Sequence, residues 1–258
     1  MTRLDNSLKR ALADYLIALG DDELILGHRD SEWCGHAPIL EEDIAFANLA
    51  LDEVGHARVW YQLAAALLDE DVAKYPDKLT FLRPASEYRC VQLVETPNGD
   101  WAFTMLRQYF FDAFEVLRLE KLRSSAHSPL AEASAKILNE ELYHLRHTSA
   151  WLPRLGLGTD ESHSRMQAAL DKLWPYALQL LDPLPEEAAL AAHDLVPDSA
   201  GLQSEWLADV SVMLQQSGLA APEDSRAVSS SRTEHSPYLE SMLEEMQSVA
   251  RLAPAARW

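Results

Sequence analysis

The sequence contains little glycine and proline, the two residues that most often interrupt helices. Only 9 glycines and 13 prolines occur among 258 residues, and the long stretches between them are rich in alanine, leucine, glutamate and arginine. Those four residue types favour helices. The composition therefore predicts an all-α protein, and the length is sufficient for a large buried core.

Basic residues are also scarce relative to acidic ones. The chain has 22 lysines and arginines against 41 aspartates and glutamates, which gives a formal net charge of −19. A surface of this charge repels the phosphate backbone of DNA and RNA. We therefore expect no nucleic acid partner.

Cysteines and long apolar runs are nearly absent. Cys34 and Cys90 are the two cysteines, and they form neither a CxxC pair nor a disulfide framework, which is typical of a reducing compartment. The N-terminal stretch has charges between its apolar residues and resembles a helix more than a signal peptide. Because no stretch of about 18 uncharged apolar residues occurs, we expect no membrane span and a cytoplasmic location.

The hydrophobic pattern predicts one domain, 1–258, with a core of four long helices in about 5–155 and accessory helices in about 160–255. Segment 76–95 has little periodicity and is predicted to be a connector, and the polar, Ser-rich segment 220–237 is predicted to be a mobile loop. Four helices of this length are what a four-helix bundle requires. The predicted helices are 5–33, 39–68, 102–124, 129–155, 160–182, 201–216 and 238–252.

Two Glu-x-x-His pairs occur in the predicted core helices. Glu53 precedes His56 in helix 2, and Glu141 precedes His144 in helix 4. Residues three positions apart lie on one face of a helix, so each pair can present an oxygen and a nitrogen to the same point. In di-iron helix bundles two helices each supply such a pair, and the other two helices each supply one carboxylate.

The sequence offers several carboxylates on helix 1 for this purpose. Among Asp21, Asp22, Glu23 and Glu32, we favour Glu23, because it lies about as far from the turn near 35–38 as Glu53 does. Residues equally distant from the turn of a helical hairpin meet at one level. Glu32 lies too close to that turn.

Helix 3 offers Asp112, which lies among phenylalanines, and Glu115 is near enough to substitute for it. A buried carboxylate in such a setting needs a partner. A mixed carboxylate and imidazole set favours iron or manganese over zinc or calcium, and two irons are the expected cofactor. Iron storage is disfavoured by the roughly one hundred residues beyond the four-helix core. The predicted metal ligands are Glu23, Glu53, His56, Asp112, Glu141 and His144.

The sequence around these residues resembles the C-type subunits of bacterial ring-1,2-phenylacetyl-CoA epoxidases. These enzymes are multicomponent monooxygenases of phenylacetate breakdown. The stretches 31-SEWCGHAP-38 and 97-PNGD-100 are its most specific motifs. The matching regions are 20–58, 97–117, 141–174 and 234–258. The resemblance implies a ferritin-like four-helix bundle with additional C-terminal helices. It also implies an accessory role beside a homologous catalytic subunit that holds the working di-iron centre. The expected assembly is a homodimer or a hetero-oligomer.

Two functions remain open at this stage. Many C-type subunits have lost part of the ligand set, whereas this chain has both Glu-x-x-His pairs, so it is either an accessory subunit or itself a di-iron oxygenase or oxidase. A core without metal is also feasible if arginines neutralise the carboxylates. The candidate arginines are Arg29, Arg58, Arg107 and Arg146.

Overall fold

Long helices account for most of the chain. The structure is a computed structural model, and it describes residues 4–223 and 225–253. Within those residues the backbone forms helices, turns and irregular segments without strands, so the all-α prediction is confirmed. The α-helices are α1 (Asn6–Ser31), α2 (Leu40–Leu67), α3 (Tyr75–Phe81), α4 (Gln92–Glu95), α5 (Trp101–Leu122), α6 (Ser128–Gly156), α7 (Asp160–Leu178), α8 (Glu187–Ala191), α9 (Ser199–Gln216) and α10 (Pro237–Leu252).

The predicted long helices agree with the observed ones to within a few residues at each end, but two regions differ. The predicted connector 76–95 contains short helices that the sequence did not indicate: most of α3, a 3₁₀ turn at Ala85–Glu87 and α4. The helix α8 was not predicted. Helices of four to seven residues are too short to show a 3.6-residue hydrophobic period, so the sequence pattern does not reveal them.

The described chain divides into two compact units, and each has its own set of contacts. We call residues 4–34, 44–97 and 231–253 the terminal unit, and residues 35–43, 98–223 and 225–230 the central unit. The helices are consistent with the predicted ferritin-like bundle. The predictions of one domain over 1–258 and of a mobile 220–237 loop stay predictions.

In the terminal unit, α1 and α2 pack closely against each other in opposite directions. A Cβ atom placed on Gly27 would lie only 2.9 Å from the Cβ of Glu53 and 3.1 Å from the carbonyl oxygen of Ala50. At the other end of the contact, the hydroxyl of Tyr61 donates a hydrogen bond of 2.6 Å to Asp21. Glycine at position 27 therefore allows the two backbones to approach at the level of Glu53.

The chain's C-terminal segment completes the terminal unit. Leu239, Met242 and Leu243 of α10 are buried. The side-chain amide of Gln247 donates to the carbonyl oxygens of Thr80 and Arg83 at 2.9 and 3.1 Å. The segment after residue 230 is thus joined to residues much earlier in the chain.

In the central unit, the antiparallel pair α5 and α6 contacts α7 and α9. An aromatic group joins three of these helices: Trp174 and Trp206 stack with ring centroids 5.9 Å apart, and Phe110 lies 5.8 Å from Trp174. The indole N–H of Trp206 donates to the backbone carbonyl of Phe110 at 3.1 Å. Aromatic packing with a satisfied indole nitrogen positions α5, which carries Asp112.

Each helix of the described residues is too short or too polar to span a membrane.

Candidate metal centre

The terminal unit brings Glu23, Glu53 and His56 together. Glu23 lies on α1, and the other two lie one turn apart on α2. Each residue offers a ligand atom within 4.8 Å of those of the other two, and His56 Nδ1 lies 3.5 Å from Glu23 Oε2. All three side chains are buried. Glu23 therefore lies at the level of the first Glu-x-x-His pair, and its role as a metal ligand stays a prediction.

Glu23 differs from the two acidic residues that precede it. Asp21 and Asp22 are also buried, but Arg83 pairs with Asp21, and Arg232 Nη1 lies 2.6 Å from Asp22 Oδ2. Neither carboxylate oxygen of Glu23 accepts a hydrogen bond from a described residue. A buried carboxylate without such compensation is costly, and a bound cation would remove that cost.

The central unit brings Asp112, Glu141 and His144 together. Asp112 on α5 and His144 on α6 offer ligand atoms within 4.8 Å of each other, and His144 Nδ1 lies 3.3 Å from Glu141 Oε1. All three are fully buried. A carboxylate of the neighbouring helix, Asp112, therefore lies beside His144 of the second pair, and its role as a metal ligand stays a prediction.

Two neutral donors hold Asp112 in place. The hydroxyl of Thr148 donates to Oδ2 and the amide of Gln108 donates to Oδ1, both at 2.9 Å. Burial raises the pKa of Asp112 well above its ordinary value, and the charge of Glu141 raises it further, whereas His144 and these two hydrogen bonds lower it. A proton or a metal ion can neutralise this carboxyl group.

The alternative carboxylate, Glu115, has a different partner. It forms a buried ion pair with Arg118 one turn later on α5. Asp112 is therefore the better candidate ligand on this helix.

Three of the four arginines that were expected to replace the charge of a metal either bind other groups or are exposed to solvent. Arg29 donates to Glu32 and to the carbonyl of Glu95, at 2.7 and 2.8 Å, whereas Arg58 and Arg146 are exposed. Arg107 is fully buried in α5. Arg107 is therefore the best placed of the four candidates, and a metal-free core neutralised by arginine stays a prediction.

A third group in the terminal unit also contains metal-binding residue types. Cys90, Glu95 and His235 offer ligand atoms within 4.8 Å of one another. Glu95 already accepts hydrogen bonds from the Cys90 thiol, from the Ser236 backbone N–H at 2.6 Å and from His235 Nδ1 at 2.6 Å. His235 Nε2 lies 3.1 Å from the carbonyl of Tyr88. These contacts describe a complete hydrogen-bond network that joins the C-terminal segment to α4.

The set in the terminal unit, whose ligand atoms lie within 4.8 Å of one another, fits a transition metal ion. Both sets consist of two carboxylates and one imidazole, and iron and manganese accept such mixed oxygen and nitrogen ligands. The Thr148 and Gln108 bonds orient Asp112 in the way that outer hydrogen bonds orient metal ligands. The convergence of all six residues at one dinuclear centre stays a prediction.

Sequence reasoning missed the residues that support these sets. Thr148 follows His144 by four positions, and Gln108 precedes Asp112 by four, so each lies on the same helix face as a predicted ligand. That spacing is a signal that could have identified both. Arg83 and Arg232 are 62 and 210 positions from their acidic partners, and no local pattern indicates them.

An all-helical chain with buried Glu-x-x-His pairs belongs to the class of helical carboxylate proteins that includes di-iron oxygenases and their relatives. The sequence profile of one family in this class, described as phenylacetic acid catabolic protein, matches residues 2–258. The chain belongs to that family.

Two proteins of Escherichia coli strain K12 are similar to the chain, and both are components of 1,2-phenylacetyl-CoA epoxidase. Its C-type subunit is 40% identical over 248 residues, which is 96% of this chain and 99% of that protein. Its A-type subunit is 23% identical over 168 residues, which is 64% of this chain and 52% of that protein. The resemblance to C-type subunits seen in the motifs is thus confirmed over nearly the whole length.

Proposed function

We propose that the chain is an accessory, C-type subunit of a cytoplasmic multicomponent monooxygenase that epoxidises the ring of phenylacetyl-CoA at positions 1 and 2. The observation that carries this proposal is the 40% identity to the C-type epoxidase subunit of Escherichia coli over 99% of its length. Similarity to the A-type subunit is weaker and covers about half of that protein. The chain is therefore assigned the C-type position beside a catalytic chain of the A type.

In this role the chain packs against a related catalytic subunit through helical surfaces. Long helices supply such surfaces, and obligate interfaces between subunits are large and apolar. The substrate, a CoA thioester, binds to the A-type subunit, and the C-type subunit stabilises that partner in the assembled enzyme.

The direct test is reconstitution with the cognate A-type subunit. We expect the two chains to co-purify, and we expect the A-type subunit to lose turnover of phenylacetyl-CoA when this chain is omitted. Glu53→Gln and His144→Asn in this chain should change its melting temperature and leave turnover nearly unchanged. Loss of turnover in a variant that still assembles would contradict the accessory role.

A second function, metal binding by this chain itself, is favoured by one observation: the buried carboxylate of Glu23 accepts no hydrogen bond from a described residue while it lies 3.5 Å from His56. The residues that would hold the metals are Glu23, Glu53 and His56 in one set and Asp112, Glu141 and His144 in the other. Iron bound there would supply the capacity to reduce and activate O₂.

The chain's own residues contribute the arrangement around such metals. Thr148 and Gln108 hold Asp112 in one orientation, and burial excludes water from the ligands. Iron content distinguishes the two functions. Two irons in the chain purified alone, with oxidation of substrate in the absence of an A-type subunit, would favour the self-sufficient enzyme, whereas a metal-free chain that activates its partner favours the accessory role.

A further inference from the structure

A cleft opens between three helices of the central unit, α5, α6 and α9. Its lining includes Tyr109 and Val116 of α5, Leu145 of α6, and Asp209 and Val212 of α9. The volume of the cleft is about 270 Å³. An apolar cavity of about 150 Å³ in a protein interior is large enough to bind benzene. The cleft therefore has room for a single ring with a short substituent.

Apolar side chains form a large part of the lining. Ala113 and Val116 are each 6% exposed and lie at the buried side of the cleft, and Leu145 and Met213 are half-buried. Val212 is 53% exposed and lies at the rim. Walls of this kind favour an apolar ligand, because its binding removes apolar surface from water on both sides.

The hydroxyl of Tyr109 is a polar group without a partner in this apolar setting. Tyr109 is only 3% exposed, and its hydroxyl forms no hydrogen bond with a described residue. Other buried tyrosines of this chain have partners: the hydroxyl of Tyr61 donates to Asp21 at 2.6 Å, and that of Tyr88 donates to the carbonyl of Thr80 at 2.7 Å. A ligand that forms a hydrogen bond with Tyr109 would supply the missing partner.

A carboxylate near Tyr109 restricts the chemistry of that ligand. Burial raises the pKa of Tyr109 above its ordinary value, and the charges of Asp209 and Asp112 raise it further, so Tyr109 keeps its proton and can donate it. Asp209 also lines the cleft, and it forms no ion pair with a described residue. An ionised carboxylate only accepts hydrogen bonds, whereas a ligand hydroxyl both accepts and donates them. A hydroxyl group therefore suits both residues, and a negatively charged group does not.

We propose that the cleft between α5, α6 and α9 binds a small, uncharged ring compound that carries a hydroxyl group. The ring packs on the apolar lining, and the hydroxyl accepts a hydrogen bond from Tyr109 and donates one to Asp209. Carboxylate compounds of the same size bind more weakly, because Asp209 and the net charge of −19 repel them. The site belongs to this chain alone and does not depend on the proposed function.

The cleft is distinct from the set formed by Asp112, Glu141 and His144. Ala113 directly follows Asp112, and Leu145 directly follows His144. Successive residues of a helix point in directions about 100° apart. A ring in the cleft therefore packs on the same turns of α5 and α6 that carry these acids and this histidine, but on another side of the two helices.

The test uses benzyl alcohol as the probe and benzoate as its charged counterpart. Both have one ring and one short substituent, and they differ in charge. Isothermal titration calorimetry with the full-length chain measures each dissociation constant. We expect benzyl alcohol to bind at one site per chain and benzoate to bind at least about tenfold more weakly.

Two variants test the residues of the cleft. Tyr109→Phe removes only the hydroxyl and should weaken binding of benzyl alcohol about tenfold, while the chain stays as stable as the wild type or becomes slightly more stable. Its control is Tyr143→Phe, where tyrosine is 47% exposed on α6. Val212→Trp fills the rim of the cleft and should abolish binding. Its control is Val249→Trp on α10, where valine is 59% exposed, and both controls should bind like the wild type.

The contradicting outcomes are equally specific. No binding of benzyl alcohol by the wild type, equal binding of benzoate, or unchanged binding in both Tyr109→Phe and Val212→Trp would overturn the inference. If Val212→Trp instead abolishes binding of a cognate A-type subunit to a chain that does not bind benzyl alcohol, the cleft is a protein contact and the inference is wrong. Circular dichroism and urea unfolding confirm that each variant is folded.

Discussion

Three consecutive acidic residues of α1 are buried, but their ion-pair partners differ. Asp21 and Asp22 have arginine partners, Arg83 and Arg232, whereas Glu23 has only the nearby His56 and accepts no hydrogen bond from a described residue. The arginine-paired acids are neutralised by the protein itself. Glu23 has no arginine partner among the described residues, and we expect this difference to separate carboxylates that maintain the fold from carboxylates that can bind a metal.

The largest expected effect is the loss of an arginine partner. Arg83→Met should lower the free energy of unfolding by about 3–5 kcal/mol, because Asp21 then stays buried without its counter-ion. Urea unfolding followed by circular dichroism measures it. The control is Arg165→Met, which removes an exposed ion pair with Glu161 and should change the stability little. Equal effects of the two substitutions would mean that the buried Arg83–Asp21 pair stabilises the chain no more than an exposed ion pair does.

The next effect concerns Glu23 and metal. Ferrous iron at one hundred times its dissociation constant should stabilise the wild-type chain by about 2.7 kcal/mol. Glu23→Gln should abolish that stabilisation while leaving the chelator-treated chain as stable as the wild type or slightly more so, because the substitution removes a buried charge. Thermal unfolding with and without iron, under anaerobic conditions, measures both. Glu41→Gln, an exposed residue of α2, is the control. A Glu23→Gln chain that still gains stability from iron would place the metal elsewhere.

A smaller effect is expected from the glycine that brings α1 against α2. Gly27→Ala should destabilise the chain by about 1–3 kcal/mol, because its methyl group would press on Glu53. Gly55→Ala should be neutral or stabilising by up to about 1 kcal/mol, since the same methyl group meets open space and favours the helix. Chemical unfolding of the two variants side by side tests the pair. A Gly27→Ala chain as stable as Gly55→Ala would mean that the backbones do not approach at the level of Glu53.

The smallest effect concerns the neutral donors to Asp112. Thr148→Val removes one hydrogen bond and should lower the free energy of unfolding by about 1 kcal/mol. Ser149→Ala, at the neighbouring position, should change it little. Urea unfolding of both variants measures the difference. A loss of several kcal/mol for Thr148→Val would indicate that Asp112 is held ionised and depends on this donor, as Asp21 depends on Arg83.

The sequence predicted those parts of the site that depend on local geometry. Glu53 with His56 and Glu141 with His144 follow from the three-residue spacing of one helix turn, and Glu23 follows from its distance to the hairpin turn. Partners that are remote in sequence could not be predicted in this way. Arg232 is 210 positions from Asp22 and lies in a segment whose composition predicted only a loop. The short helices α3 and α4 were missed because four to seven residues do not establish a hydrophobic period.

The joining of Arg232 to Asp22 has a consequence for biosynthesis. The α1 and α2 hairpin is translated long before Arg232, the arginine that pairs with Asp22. Contacts of such long sequence separation form slowly and late. The hairpin therefore stays incomplete until residue 232 has been translated, and a nascent chain that stops earlier would leave Asp22 without its arginine partner.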